Sequence, residues 1–194
     1  GNVNRLGLSL MSIAGHKLYA PKGIGALFFR RGVGLEKQMH GADHEMNLRA
    51  GTENILEISG LGKACEIAKR DLEKNILHMR LMRDELYNGI IKAIPDVKLN
   101  GHPEKRLPNT LSLSFKGLEA NTLLFELSGI AASAGAACHT DRIDISTVLK
   151  AMGVEEGFAM GTIRLSTGKY TTSEEIRKAV NEITEVVKRQ RSTW

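Results

Sequence analysis

The richest stretch for chemistry is Ser12-Ile13-Ala14-Gly15-His16-Lys17-Leu18-Tyr19-Ala20-Pro21-Lys22-Gly23. Lys17 follows an apolar run and precedes a turn, with Gly15 and His16 ahead of it and Pro21, Gly23 and Gly25 behind. Such an arrangement delivers a lysine amine from a strand end into a cleft, and glycines let a large flat ligand approach the backbone. A lysine held away from water loses its proton more readily and forms a Schiff base with a carbonyl. A surface lysine in a strand-to-strand turn would have the same local wording.

Cys138 is a second pole. It lies in Ser133-Ala134-Gly135-Ala136-Ala137-Cys138-His139-Thr140-Asp141-Arg142, where no apolar periodicity claims it. A cysteine on a Gly/Ala loop beside a histidine and an arginine suits a low-pKa thiolate nucleophile, or is an incidental loop cysteine. Arg164 is the third, inside the apolar run Ile163-Arg164-Leu165. It needs an anionic partner, either a bidentate carboxylate ligand or an internal Asp or Glu. His16 could touch a phosphate, and Thr52, after Gly51, is placed to hold one or to cap a helix. His40 and His44, with Asp43 and Glu45, have the donor types of a metal site but lack an evident third ligand, so no metal is expected.

The elements that would position these residues belong to an α/β protein. The 42% hydrophobic and 25% charged content is that of a globular chain able to bury a core. Net charge is +5, but basic and acidic residues alternate along helical stretches, which reads as a solvated face. With 5% aromatic residues there is no basic-aromatic ladder for nucleic acid. Two cysteines, Cys65 and Cys138, are too few for a disulfide framework and fit a reducing, cytoplasmic setting. No apolar run approaches the ~20 residues of a membrane span, and no signal peptide is visible. The absence of an initiator Met suggests one part of a longer polypeptide.

In order, 7–14 and 24–30 read as buried strands, and 31–52 as a loop. Apolar spacing of three and four predicts helix from Ile55 to Ile94, bent near 71–75, with Cys65 a buried small hydrophobe on its stripe. Pro95 stops it. Strands are then expected at 97–100, 110–115, 130–133 and 162–166. Helices are expected at 119–128, at 145–152 ended by Gly153, and from Thr172 to about Arg189; Ala134–Asp144 reads as a small-residue loop.

Taken together, SIAGHKLYAPKGIG (12–25), HGADHEMNLRAGTEN (40–54), PNTLSLSF (108–115), SAGAACH (133–139) and IRLSTGKYTT (163–172) stand in the order and spacing of one family. The chain resembles the cysteine desulfurases, pyridoxal-phosphate enzymes of the class V aminotransferase group with the fold-type I architecture. The resemblance runs over essentially the whole sequence and implies the C-terminal half of such an enzyme. Residues 1–70 would end the cofactor-binding large-domain sheet, 71–94 would be a connecting helix, and 95–194 a small C-terminal domain. By this resemblance Lys17 carries the cofactor, His16 lies beside its phosphate, and Thr52 reaches the phosphate of the partner subunit in a homodimer. Arg164 would bind the substrate α-carboxylate, and Cys138 would accept sulfur from L-cysteine as a persulfide and pass it to a sulfur-acceptor or iron-sulfur scaffold protein. Two departures stand out. Ala14 replaces a serine that bonds the cofactor phosphate in many relatives, which removes about 1 kcal/mol of binding. The Ala-Ala-Cys-His wording is also similar to selenocysteine lyases, which leaves selenocysteine as an alternative substrate. The N-terminal half carries the aspartate and histidine that hold the cofactor ring. Without it a third reading remains, a non-catalytic fragment that docks partners.

Overall fold

The computed structural model describes residues 2–135, 137–139 and 142–192, with the backbone alone for 137–139 and 142–144. The chain forms two compact units, Gly1–Leu72 and Glu73–Trp194.

In the first unit, β1 (Leu10–Ala14) and β2 (Gly25–Phe29) pair antiparallel, with Leu10 opposite Phe29 and Ala14 opposite Gly25. A single 3₁₀ turn, Gly15–Leu18, joins directly to β1. The loop that follows β2 contains one short turn, α1 (His44–Asn47), in which Glu45, Met46 and Asn47 all have positive φ. Lys37 organises this loop: its Nζ donates to the carbonyls of Gly41 and Ala42 at 3.0 and 3.1 Å and to Asn47 Oδ1 at 2.8 Å. Helix α2 (Ile55–Arg70) starts at Asn54, whose side chain accepts from the Glu57 amide, so Asn54 and not Thr52 is the cap. Leu61 and Ala64 of α2 are buried. Cys65, expected in the core, is exposed. One residue along a helix turns the side chain by about 100°, which carries Cys65 off the face that Ala64 buries.

The expected bend falls at Asp71, and α3 (Leu72–Ala93) begins the second unit. Its sheet has four strands in the order β3 (Val97–Leu99), β4 (Thr110–Phe115), β8 (Thr162–Ser166) and β5 (Ser133–Ala134), all pairings antiparallel. One face is apolar: Leu111, Leu113, Phe115, Ile163 and Leu165 pack with Met82, Leu86 and Ile90 of α3 and with Ile176, Ile183 and Val187 of α7 (Ser173–Ser192). Each such side chain, fully buried, contributes about 1.5–3 kcal/mol of transfer free energy. The other face is polar: Asn100 donates to Ser114 at 2.8 Å, and the Ser114 and Thr162 hydroxyls lie 2.6 Å apart, all three side chains being buried. Helix α4 (Ala120–Glu126) buries Leu123 beneath the sheet, and its N-terminal amides are capped by Glu119.

Besides Cys65, and β1 and β2, which were expected to be buried but have no buried residue, three expectations fail in the second unit. The strand foreseen at 130–133 is only Ser133–Ala134. The stretch read as loop from 134 to 144 contains a hairpin, β6 (Ala137–His139) with β7 (Arg142–Asp144), placing Cys138 opposite Ile143. Alanines and polar residues have no alternation there for a strand to declare itself by. Arg83, read among solvated helical charges, is 7% exposed. The helix expected at 145–152 is α5 (Thr147–Ala151), capped by Ser146 and closed by Gly153 in the left-handed region. A further turn, α6 (Glu156–Ala159), was too short to show any period.

Charge also ties the elements. Arg189 and Gln190 of α7 donate to the Glu126 carboxylate of α4, at 3.0 Å from Arg189 Nε and 2.9 Å from Gln190 Nε2. The Arg189 and Gln190 bonds hold the Glu126 carboxyl below the usual glutamate range. Thr172 does the same for Glu175 through its backbone amide and hydroxyl in a reciprocal cap of α7. A carboxyl with a lowered folded pKa contributes stability above its unfolded value and loses it as pH falls through the folded one. The denaturant midpoint is therefore expected to drop below about pH 4. Glu126→Gln should flatten that drop, and an unchanged acid limb in this variant would contradict the assignment.

Candidate active site

The lysine is positioned by a glycine. At the end of β1, Gly15 is buried and donates its amide to the Ile24 carbonyl at 2.9 Å. A Cβ on Gly15 would stand 2.7 Å from that same oxygen and 2.8 Å from Ile24 Cγ2. Real Cβ atoms do not approach so closely, so only glycine lets the chain leave the strand and tighten at once into the 3₁₀ turn. The turn ends at Tyr19 in the left-handed region, and Ala20 donates back to Gly15. Pro21 then sits against α2 where Gly60 has no side chain: a Cβ there would lie 3.0 Å from the proline ring. Gly23 lies beside the Glu57 carboxylate in the same way.

His16 and Lys17 thus stand side by side on the turn, and both are exposed. The desolvation expected for Lys17 is not present within the chain. Neither its amine nor the His16 ring has a hydrogen bond or ion pair among the described residues. Thr52 follows Gly51, whose φ of 101° needs glycine, in the loop that leads into α2. It is exposed and, with Asn54 serving as the cap, its hydroxyl has no hydrogen bond among the described residues. Asp43 pairs with Lys37 at 3.3 Å instead of joining the histidines. Among the described residues, no three His, Cys, Asp or Glu side chains come together as a metal site.

Arg164 occupies the outward position of β8. Ile163 and Leu165 are 0% and 3% exposed in the core, so the pleat turns Arg164 to the opposite face. Its register partners are Ser112 on β4 and Ser133 on β5. The guanidinium reaches only the Ser133 hydroxyl, at 3.4 Å, and it has no carboxylate partner among the described residues. The internal ion pair that the sequence left open is not formed there. Ser133 is a neighbour of Arg164 that sequence reading passed over; its place opposite Arg164 becomes visible only through the strand register. Just beyond it, Gly135 crosses β8 so closely that a Cβ would meet Thr162 Cγ2 at 2.5 Å. The chain then enters β6, which contains Cys138; the Cys138 side chain lies outside the described residues. The structure therefore brings His16 and Lys17 together on one turn, and sets Arg164 in the sheet whose edge strand leads to Cys138.

A glycine-forced lysine turn in one α/β unit is followed along the chain by a second unit whose outward arginine has no carboxylate partner among the described residues. The chain belongs to the class V aminotransferases: that family's model matches residues 1–179. Among curated proteins it is 41% identical to the cysteine desulfurase IscS of Edwardsiella ictaluri, over 192 residues that make up 98% of this chain and 47% of that protein. It is 40% identical to the cysteine desulfurase IscS of Methanosarcina thermophila, covering 98% of this chain and 48% of that one. Among solved structures, a NifS-like protein superposes with a TM-score of 0.85 at 34% identity, over 96% of this chain and 48% of its own. The NifS-like protein from Rickettsia africae gives 0.84 at 28% identity, over 95% and 49%. The chain thus spans about half the length of the curated relatives it matches.

Gly15→Ala is expected to open the junction of β1 with the lysine turn and lower unfolding stability by about 1–3 kcal/mol. A denaturation midpoint equal to that of the unmodified chain would show that the junction tolerates a side chain.

Proposed function

We propose that this chain supplies the second half of a pyridoxal-phosphate-dependent cysteine desulfurase, which converts L-cysteine to L-alanine and leaves the sulfur on Cys138. The observation that carries this reading is that Lys17, and Arg164 apart from the Ser133 hydroxyl, have no partner among the described residues, in a chain 41% identical, along 98% of its length, to a cysteine desulfurase. The donor set fits the cofactor: the Lys17 amine, the His16 imidazole and the Thr52 hydroxyl, none of them engaged among the described residues. Lys17 would carry the cofactor through Nζ, while His16, and Thr52 from the opposite subunit of a homodimer, would hold its phosphate. Pyridoxal phosphate, when bound, supplies an electron sink that makes the substrate Cα proton removable.

The chain's own residues do the rest. Arg164 grips the substrate α-carboxylate, helped by the neighbouring Ser133 hydroxyl. The Lys17 amine, once released, takes the Cα proton as a general base. The Cys138 thiolate forms a bond to the substrate sulfur as the Cβ–S bond breaks. That bonding pair stays on Cβ, which gains a proton to become a methyl group, and Cα recovers its proton before alanine leaves. Cys138 holds a persulfide, whose outer sulfur passes to an acceptor protein such as an iron-sulfur scaffold. Exposed apolar side chains in the first unit, Leu10, Leu27, Ile55 and Leu56, support the reading that its two-stranded sheet works joined to further sheet.

In the full-length polypeptide, Cys138→Ser should abolish persulfide formation, and persulfide accumulating in that variant would overturn the nucleophile. Arg164→Ala should raise KM for L-cysteine about tenfold to a hundredfold, the worth of a charge-assisted bond; an unchanged KM would remove Arg164 from the substrate site. Borohydride reduction in the presence of pyridoxal phosphate should label Lys17 by peptide mass mapping, and label on another lysine would refute the cofactor assignment.

A further inference from the structure

The second unit contains a cleft of about 500 Å³ that plays no part in the proposed sulfur chemistry. It opens between α3, which contributes Arg80, Arg83, Asp84 and Tyr87, and the loop after β3, which contributes Pro103, Glu104 and Arg106, with Leu99 and Leu111 among its walls. Its volume falls within the usual size range of small-molecule sites. Three guanidinium groups meet two carboxylates there, which leaves the lining net positive.

The arginines differ in how far they are satisfied. Arg83 is 7% exposed; it donates to Asp84 Oδ1 from Nε and NH2 at 2.8 and 2.6 Å and to the Leu107 carbonyl from NH1 at 3.0 Å. That uses three of its five N–H bonds. Among the described residues Arg106 donates only from NH2, to the Thr110 carbonyl at 3.3 Å, and its Nε is shut from water with no acceptor. Arg80 is exposed and has no hydrogen bond or ion pair among the described residues. Burial and the nearby Arg83 charge both push the Arg106 pKa down, the sign of a cation held without enough compensation. Structural arginines are paired or fully bonded when buried, and Asp84 directs its Oδ1 to Arg83. A phosphoryl group accepts from several guanidinium donors at once and would meet the terminal N–H groups that Arg80, Arg83 and Arg106 turn to the cleft. The apolar walls formed by Leu99, Pro103 and Leu111 would suit a carbon skeleton attached to it.

We propose that this cleft binds a phosphate-bearing small molecule, its phosphoryl oxygens held by Arg80, Arg83 and Arg106. The test is calorimetric titration of the full chain with inorganic phosphate, at ionic strength held constant with sodium chloride. In parallel, the arginine Nε–H resonances are followed by NMR, which reads the site without any substitution. The expected result is saturable binding, with the Arg106 resonance moving along the same isotherm. Arg106→Gln should weaken binding at least about tenfold and Arg80→Gln by a smaller factor. Acetate at the same concentration should bind more weakly than phosphate, which separates a phosphoryl site from a general carboxylate site. The proposal is overturned by an absence of saturation, by an Arg106 resonance indifferent to phosphate, by equal affinity in Arg106→Gln, or by acetate binding as tightly as phosphate.

Discussion

The second unit depends on the alternation along β8. That strand pairs with β4 on one side and β5 on the other, so it holds the sheet together. Ile163 and Leu165 must face the helices, because burying each is worth about 1.5–3 kcal/mol and nothing on the other face could repay it. A strand has a side-chain period of two, and a slip of one residue would bury the guanidinium and expose both apolar chains. Arg164 is therefore turned outward by its neighbours, with no carboxylate among the described residues to draw it there. The same register sets Ser133 beside it and starts the segment that reaches Cys138 from a fixed place.

The first unit solves a different problem with glycine. A strand must end abruptly for a lysine to stand at its tip, and a single 3₁₀ turn leaves no room for a side chain at the junction. Gly15 meets that requirement at the strand end, and Gly60 meets a second one where α2 receives Pro21. Steric exclusion thus fixes the position of Lys17, while no hydrogen bond or ion pair among the described residues restrains its amine. Holding the backbone and leaving the head group free is what a group destined to bond something else requires.

Much of this was legible in the sequence, for identifiable reasons. Leu111, Leu113 and Phe115 alternate with polar residues, and β4 lies where that pattern put it. The break at Asp71 and the reciprocal cap between Thr172 and Glu175 were likewise written in local residue types. Lys17, His16, Thr52, Arg164 and Cys138 were picked out by unusual surroundings and then by their joint spacing. What escaped was whatever depends on the backbone or on neighbours distant in sequence. Lys37 gathers its loop by binding main-chain carbonyls, which no residue type announces. The β6–β7 hairpin has no apolar alternation. Cys65 sits one helical step away from the buried stripe, and amphipathic periodicity does not resolve a single step at the edge of a face. Arg83 looked solvated because, besides Asp84 next to it, it bonds the carbonyl of Leu107, far along the chain.

The arginines of this chain also show how a fold separates scaffold from function with one residue type. Arg30 donates to the Leu8 and Val3 carbonyls and to Asn4, and Arg191 to the carbonyls of Pro95, Asp96 and Lys116. Both tie segments distant in sequence and have their donors occupied by the protein itself. Arg83 ties α3 to the Leu107 carbonyl from a buried place yet keeps two of its five N–H donors unspent. Arg164 differs: its position is dictated by the strand, and its donors meet one hydroxyl at the long end of hydrogen-bond range. An exposed cation loses little by waiting for a ligand, because water solvates it meanwhile, and it gains bidentate geometry when a carboxylate arrives. Arg106 lies between these cases, partly buried yet under-bonded, and burial without acceptors is the condition that an ordinary scaffold arginine avoids. Donor occupancy, more than burial or charge alone, distinguishes the arginines that hold this fold together from those it leaves free to bind.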